Sequence, residues 1–153
     1  MPEPTLTTAR TPRHQLPFLF PGQAQKEVFV NEALARLDAL VQPVVQAELA
    51  VPPSTPATGA SYLVAAAASG DWAGHDGAIA TWADTQWLFA TPCDGARIHD
   101  ASTGALAVFS AEHGWRRASA PVVPTGGATQ DIEARQVIAA IVAHLHSLGI
   151  FSA

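Results

Sequence analysis

Residues Ala78 to Ala90 read AIATWADTQWLFA, and this stretch decides the fold. Ala78-Ile79-Ala80-Thr81-Trp82 and Trp87-Leu88-Phe89-Ala90 are short runs carrying β-branched and aromatic side chains, which suit a pleated, half-buried surface. Asp84-Thr85 joins them through a short turn. Working outward, the same period of two holds from Val44 to Ser119. Upstream, Val45-Gln46-Ala47-Glu48-Leu49-Ala50-Val51 alternates and stops at Pro52-Pro53, and Tyr62-Leu63-Val64 follows the turn residues Pro56 and Gly59. Downstream, Arg97-Ile98-His99 precedes a turn from Asp100 to Gly104, and Leu106-Ala107-Val108-Phe109 pairs across Glu112-His113-Gly114 with Trp115-Arg116. Short strands at roughly ten-residue intervals predict a small antiparallel sandwich or barrel.

A helix flanks the strands on each side, so the expected class is α+β. The first runs from Gln23 to about Gln42, opened after Pro21-Gly22 and ended by Pro43. Val30, Leu34, Leu37, Val41 and Val44 follow one another at intervals of 4, 3, 4 and 3, which gathers them into one apolar seam. That seam fits either a short coiled coil between subunits or a helix lying on its own sheet. The second helix runs from Thr129 or Gln130 to Leu148, with Thr129 as N-cap, Asp131 and Glu133 favoured by the helix dipole, and Gly149 as C-cap. Ala134, Ile138, Ile141, Leu145 and Leu148 repeat the 4-3-4-3 spacing.

The organisation expected is an extended arm over 1–21, a helix-plus-antiparallel domain over 22–119, a linker over 120–128, and a C-terminal helix over 129–153 packed on the domain or on a neighbouring subunit. The arm holds Pro2, Pro4, Pro12, Pro17 and Pro21, which deny it helix and ladder donors. It nonetheless carries Leu16, Phe18, Leu19 and Phe20. Those groups dock either on the protein's own core or on a neighbour.

Composition narrows the function classes. The 153 residues fit one domain, 48% are hydrophobic and only 14% charged, so the surface is poor in charge. Net charge is −5, with Lys26 the one lysine and no basic stripe, which argues against nucleic acid and against a polybasic membrane patch. No apolar run approaches the ~20 residues of a membrane span, and the first residues do not read as a secretory signal. Cys93 is the one cysteine, which excludes an intrachain disulfide. With no basic neighbour or helix N-terminus it reads as inert.

An enzyme is looked for and not found. There is no G-x-S-x-G elbow, P-loop or G-x-G-x-x-G, and no cofactor is implied. His144 and His146 sit two apart on a helix and so point to different faces. His75-Asp76 and His99-Asp100 place imidazole beside carboxylate, but Asp71, Asp76, Asp84, Asp94 and Asp100 all fall in turns where a structural Asp belongs. Arg116-Arg117 reads as solvated. Trp72, Trp82, Trp87 and Trp115 all lie in the strand region, as core anchors or as exposed rings for a sugar.

Two stretches resemble a known family. Pro21-Gly22-Gln23-Ala24-Gln25-Lys26-Glu27-Val28, with Asn31-Glu32-Ala33-Leu34 and Leu37-Asp38-Ala39-Leu40-Val41, is similar to the opening of a family catalogued only as a domain of unknown function, common in alphaproteobacterial prophages and gene transfer agents. Pro52-Pro53, Gly59, Tyr62-Leu63-Val64, Ser69-Gly70-Asp71-Trp72-Ala73-Gly74-His75, Ile79-Ala80, Trp82, Trp87 and Pro92 follow the same pattern, which is departed from at Cys93-Asp94-Gly95. Glu133-Ala134-Arg135, Ile138 and Leu148-Gly149-Ile150 resemble the tail of related phage proteins. The resemblance implies a virion component, a tail-fibre, spike or fibre-attachment module, and carries over no catalytic residue.

The resulting expectation is a structural, non-enzymatic virion protein, made in the bacterial cytoplasm and housed in a virus-like particle. It would form a homo-oligomer, a trimer first among the choices, through Val30, Leu34, Leu37 and Val41. It would dock on other virion proteins through Leu16, Phe18 and Phe20. It would meet host capsule or lipopolysaccharide through Trp72, His75 and Asp76, an aromatic face beside polar groups on a loop opened by glycines. A glycan hydrolase or esterase of the particle, and an intracellular scaffold, are the alternatives.

Overall fold

Alternation becomes strand wherever a proline, glycine or aspartate turn cuts it to length. A computed structural model describes residues 9–19, 22, 26–83, 85–122, 126–127 and 131–152. The chain divides at Pro92–Cys93 into two compact units, inside the stretch that the sequence reads as continuous.

The first unit holds α1 (Lys26–Leu40), β1 (Val44–Val45), β2 (Glu48–Leu49), β3 (Ser61–Val64), a 3-10 turn at Gly70–Trp72, β4 (Ile79–Ala83) and β5 (Gln86–Ala90). The alternating run Val45–Val51 is two separate two-residue strands rather than one. The sheet order is β2-β3-β4-β5. Glu48 and Leu49 pair with Leu63 and Val64 in parallel, while β3–β4 and β4–β5 are antiparallel. Register assigns the faces. Tyr62, Ala80 and Phe89 lie side by side, as do Trp82 and Trp87, and these form an aromatic face. Ser61, Thr81 and Leu88 lie on the other. There the Ser61 and Thr81 hydroxyls, both buried, bond to each other at 2.8 Å.

The second unit holds β6 (Arg97–Asp100), β7 (Ala105–Ser110), β8 (Gly114–Ser119), α2 (Ile132–Ser147) and β9 (Phe151–Ser152). Neighbouring strands run β6-β7-β8-β9, antiparallel for the first two pairings and parallel for β8–β9. The α+β class with a helix toward each end stands. The strand arrangement is corrected: the two sheets are mixed, and neither closes into a barrel. The physical reason is chain length between partners. The chain returns to β8 through a 16-residue helix, and such a crossover permits the parallel pairing that a tight turn forbids.

The end signals of α2 are legible in atomic detail. Asp131 is the N-cap, its carboxylate accepting the Ala134 N–H at 2.9 Å; Thr129, the residue expected there, lies outside the described residues. At the other end Gly149 takes φ +71°, its N–H donates to His146 and the Ile150 N–H to Leu145, a Schellman closure. A side chain at Gly149 would also meet the Gly104 carbonyl at 2.9 Å.

Candidate functional site

The buried side of α1 is its polar one. Glu27, Asn31, Ala35, Asp38 and Ala39 recur at helical spacing, and of the whole helix only Asp38 and Ala39 are fully buried. What covers this stripe is the N-terminal arm. Asn31 exchanges two hydrogen bonds with the Leu19 backbone, at 2.8 and 3.2 Å. Asp38, 2% exposed, accepts the Thr11 hydroxyl at 2.6 Å, the Arg13 N–H at 2.9 Å and the His14 N–H at 2.6 Å. Burial pushes the Asp38 carboxyl up, but the bonds from Thr11, His14 and Arg13 outweigh it and hold the group below its ordinary value. Arg13 then donates to the carbonyls of Asp38, Ala39 and Gln42, filling acceptors that a helix end leaves open. Pro12 rests on Gly59, whose φ of +80° and missing Cβ both serve that contact; a Cβ would lie 2.5 Å from the proline ring.

The arm thus docks on its own chain. Leu16 and Phe18 are half-buried in that docking, and Phe18 helps line a cavity of about 180 Å³ with Ala35, Asp38, Thr81 and Leu88. Phe20, the third docking residue expected, lies outside the described residues.

With the polar stripe inward, the large apolar residues of α1 face out. Val28, Phe29, Val30, Leu37, Leu40 and Val41 are exposed, Phe29 by 76% and Leu37 by 51%. Of the expected seam Leu34 and Val44 are half-buried, and Val30, Leu37 and Val41 are exposed. Helix α2 is barer still: none of its residues is buried, and Ile132, Val137, Ile138 and Ile141 stand in solvent, Ile141 by 52%. A crossover helix ordinarily lays its apolar stripe on the sheet. This one leaves most of its stripe exposed, with Leu145 half-buried.

The glycan contact expected at Trp72, His75 and Asp76 is corrected at its central residue. Trp72 is 0% exposed and packs with Val64 and Ala80 under Leu49, Tyr62, Trp87 and Phe89, so it has no face for a ligand. His75 is exposed but lies flat on Phe89, ring centroids 3.6 Å apart. Asp76 spends both carboxylate oxygens on the Ala67 and Ala68 N–H groups, closing the loop. These three residues build the tip of the sheet.

A different aromatic pair remains open. Trp82 and Trp87 face each other across β4 and β5, centroids 5.0 Å apart and planes at 60°. Both are half-buried. Trp87 is braced from beneath by Trp72, 5.0 Å away at 80°, and by Tyr62, 6.0 Å away at 76°. The two tryptophans floor a groove of about 260 Å³ walled by Pro52, Pro53, Ser54, Pro56 and Asp71. Its two loops are tied together by the Ser69 N–H, which donates to the Ala50 carbonyl at 2.9 Å. The sequence held the signal: with a turn at 84–85, Trp82 and Trp87 fall opposite each other.

In the second unit the Arg116-Arg117 doublet splits. Arg116 is exposed, but Arg117 reaches buried Asp100, Nε at 2.8 Å and Nη2 at 2.6 Å. The pair spans β7, where Ala105 and Ala107 leave room for it. Burial raises the Asp100 carboxyl, yet Ser102 and Arg117 together hold it below its ordinary value. Asp100 is therefore committed to structure and is not at the service of His99. His144 and His146 are both exposed, as is Cys93. Among the described residues no group of three His, Cys, Asp or Glu could hold a metal ion, and no helix is long and apolar enough to cross a membrane.

A family profile matches residues 30–116, more than half of the chain. The chain belongs to the family described as Protein of unknown function (DUF2793). No curated protein matches it. The DUF2793 span contains most of α1, the aromatic groove and the strands as far as the middle of β8, while the arm and α2 lie outside it.

Proposed function

We propose that this chain is a structural subunit of a virus-like particle of the phage or gene-transfer-agent kind, a fibre, spike or fibre-attachment module that assembles with copies of itself and meets the host surface. One observation carries the reading: α1 turns its polar stripe inward onto the arm and its large apolar residues outward. A monomer gains nothing by this inversion, because exposed apolar patches of this kind mark interaction sites. The 4-3-4 spacing of Val30, Leu34, Leu37 and Val41 is the spacing at which identical helices interlock. A trimer is the ring size we favour, on the resemblance to fibre proteins. The virion setting likewise rests on the resemblance.

The test has two parts. Light scattering on the full chain at micromolar concentration should report an oligomer, and Leu37→Asp with Val41→Asp should reduce it to a monomer with unchanged circular dichroism. Particles purified from a producing strain should contain the chain. A monomeric wild-type protein, or its absence from particles, overturns the reading.

A further inference from the structure

The structure assigns a binding site for a neutral saccharide to the groove floored by Trp82 and Trp87. It rests on the proposed function only for where such a sugar would be met.

The chemistry of the lining selects the ligand. Of its seven described residues two are tryptophans and three are prolines, so the surface offered is about half apolar, and that half is largely indole and proline ring. The C–H face of a pyranose ring needs such a surface, and its hydroxyls need acceptors at the rim. The Asp71 carboxylate and the Ser54 hydroxyl stand exposed at that rim, and no hydrogen bond to another described residue occupies either. Among the described residues of the lining Asp71 is the one charged group, and no lysine, arginine or histidine joins it. A sugar bearing a carboxylate, sulfate or phosphate would meet an uncompensated like charge there. The ligand expected is therefore uncharged.

A cationic ligand is the competing chemistry, since indole faces also attract ammonium groups. The geometry disfavours it. At 5.0 Å between centroids and 60° between planes, the two rings pack against each other and do not stand apart as the walls of a cage. The free indole surface suits one flat ring better than a sphere. The site is also built in advance. Trp72 is fully buried beneath Trp87, and the Ser69–Ala50 bond ties the two loops, so little ordering remains to be done on binding.

The test uses the full chain, titrated with maltotriose, cellotriose, isomaltotriose and chitotriose, with a hyaluronan tetrasaccharide as acidic control and tetramethylammonium as cationic control. Tryptophan fluorescence and saturation-transfer NMR read the binding. At least one neutral trisaccharide should bind saturably at concentrations up to about 10 mM, a weak affinity normal for a single small contact. Trp82→Ala should weaken it about tenfold, the scale of a lost aromatic contact. Asp71→Asn, an exposed substitution that leaves the melting temperature unchanged, should weaken it by about the same factor through its charged acceptor. No saturable binding of any neutral probe, binding of a control alone, or neutral binding untouched by both variants each overturns the site. Incorporation of Asp71→Asn protein into particles is read separately. Particles that contain the chain while no sugar binds sink the site and spare the proposed function, and the reverse result does the opposite.

Discussion

Replacing Asp38 with alanine removes one buried carboxylate and three hydrogen bonds at once, those from the Thr11 hydroxyl and the Arg13 and His14 N–H groups. A hydrogen bond to a charged acceptor contributes about 1.5–3 kcal/mol net. Three such bonds do not add in full, because the arm can lift away and rehydrate its freed donors. The loss is therefore bounded by what the docked arm contributes, and we expect about 3 kcal/mol. At roughly 2–4 °C per kcal/mol for a chain of this size, the melting temperature should fall by about 6–12 °C. Asp38→Asn keeps the shape and one acceptor and should cost about half as much. Amide hydrogen exchange localises the effect: the Thr11, Arg13, His14, Leu16 and Phe18 amides, all hydrogen-bonded within the arm or to Asp38, should lose protection together. Acid should mimic the mutation. The folded Asp38 carboxyl sits below its ordinary value of 3.8, so its stabilisation is fully present above that value and is lost as pH falls through the depressed one. The wild-type arm should thus exchange faster below about pH 4, and Asp38→Ala should lack that component. Arm protection unchanged in Asp38→Ala, or a stability change under about 0.5 kcal/mol, refutes the latch.

Arg117→Ala leaves the Asp100 carboxylate, 1% exposed, without its guanidinium and should cost about 3–5 kcal/mol by urea unfolding, with Arg117→Lys intermediate; an unchanged urea midpoint for Arg117→Ala would count against the pair. Trp72→Ala empties the centre of the first unit's aromatic cluster and should cost about 3–5 kcal/mol, read as a fall in melting temperature; a melting temperature that does not move would return Trp72 to the surface. Gly59→Ala places a methyl 2.5 Å from Pro12 at a φ of +80° and should cost about 1–3 kcal/mol while loosening the same arm amides as Asp38→Ala; arm protection equal to wild type would mean that Pro12 does not rest there.

What could be read in the sequence was whatever depends on neighbours along the chain. The antiparallel β4–β5 pair, the strands from 97 to 119 and the Gly149 cap follow from turn residues and alternation within a few positions. What could not be read depends on which side of an element is covered. The 4-3-4-3 row of α1 specifies an apolar stripe, but whether that stripe or the opposite one meets the rest of the chain was decided by Thr11 and Arg13, more than twenty residues away. Parallel pairing of β2–β3 and β8–β9 is hidden for the same reason, since the pattern of a strand does not state its partner's direction. At the candidate site, Gly70-Asp71-Trp72 carried a true signal for a turn and an aromatic. It did not say that Trp72 would be the support and Trp82 and Trp87 the surface. Asp38 was legible only as a polar residue on a helix, and its burial follows from the arm's backbone donors, which no composition reveals.

The guanidinium of Arg13 closes the end of a helix that begins thirteen residues later. During synthesis the arm leaves the ribosome before α1 and can reach Asp38 and Gln42 only once they emerge behind it. All its bonds to the end of α1 span only 24 to 29 residues, short loops whose closure costs little entropy. Completion of the helix and capture of the arm thus become one event, which can finish before β4 and β5 exist. The nascent chain would then present a closed N-terminal unit, its polar donors already satisfied, while the aromatic sheet is still being made.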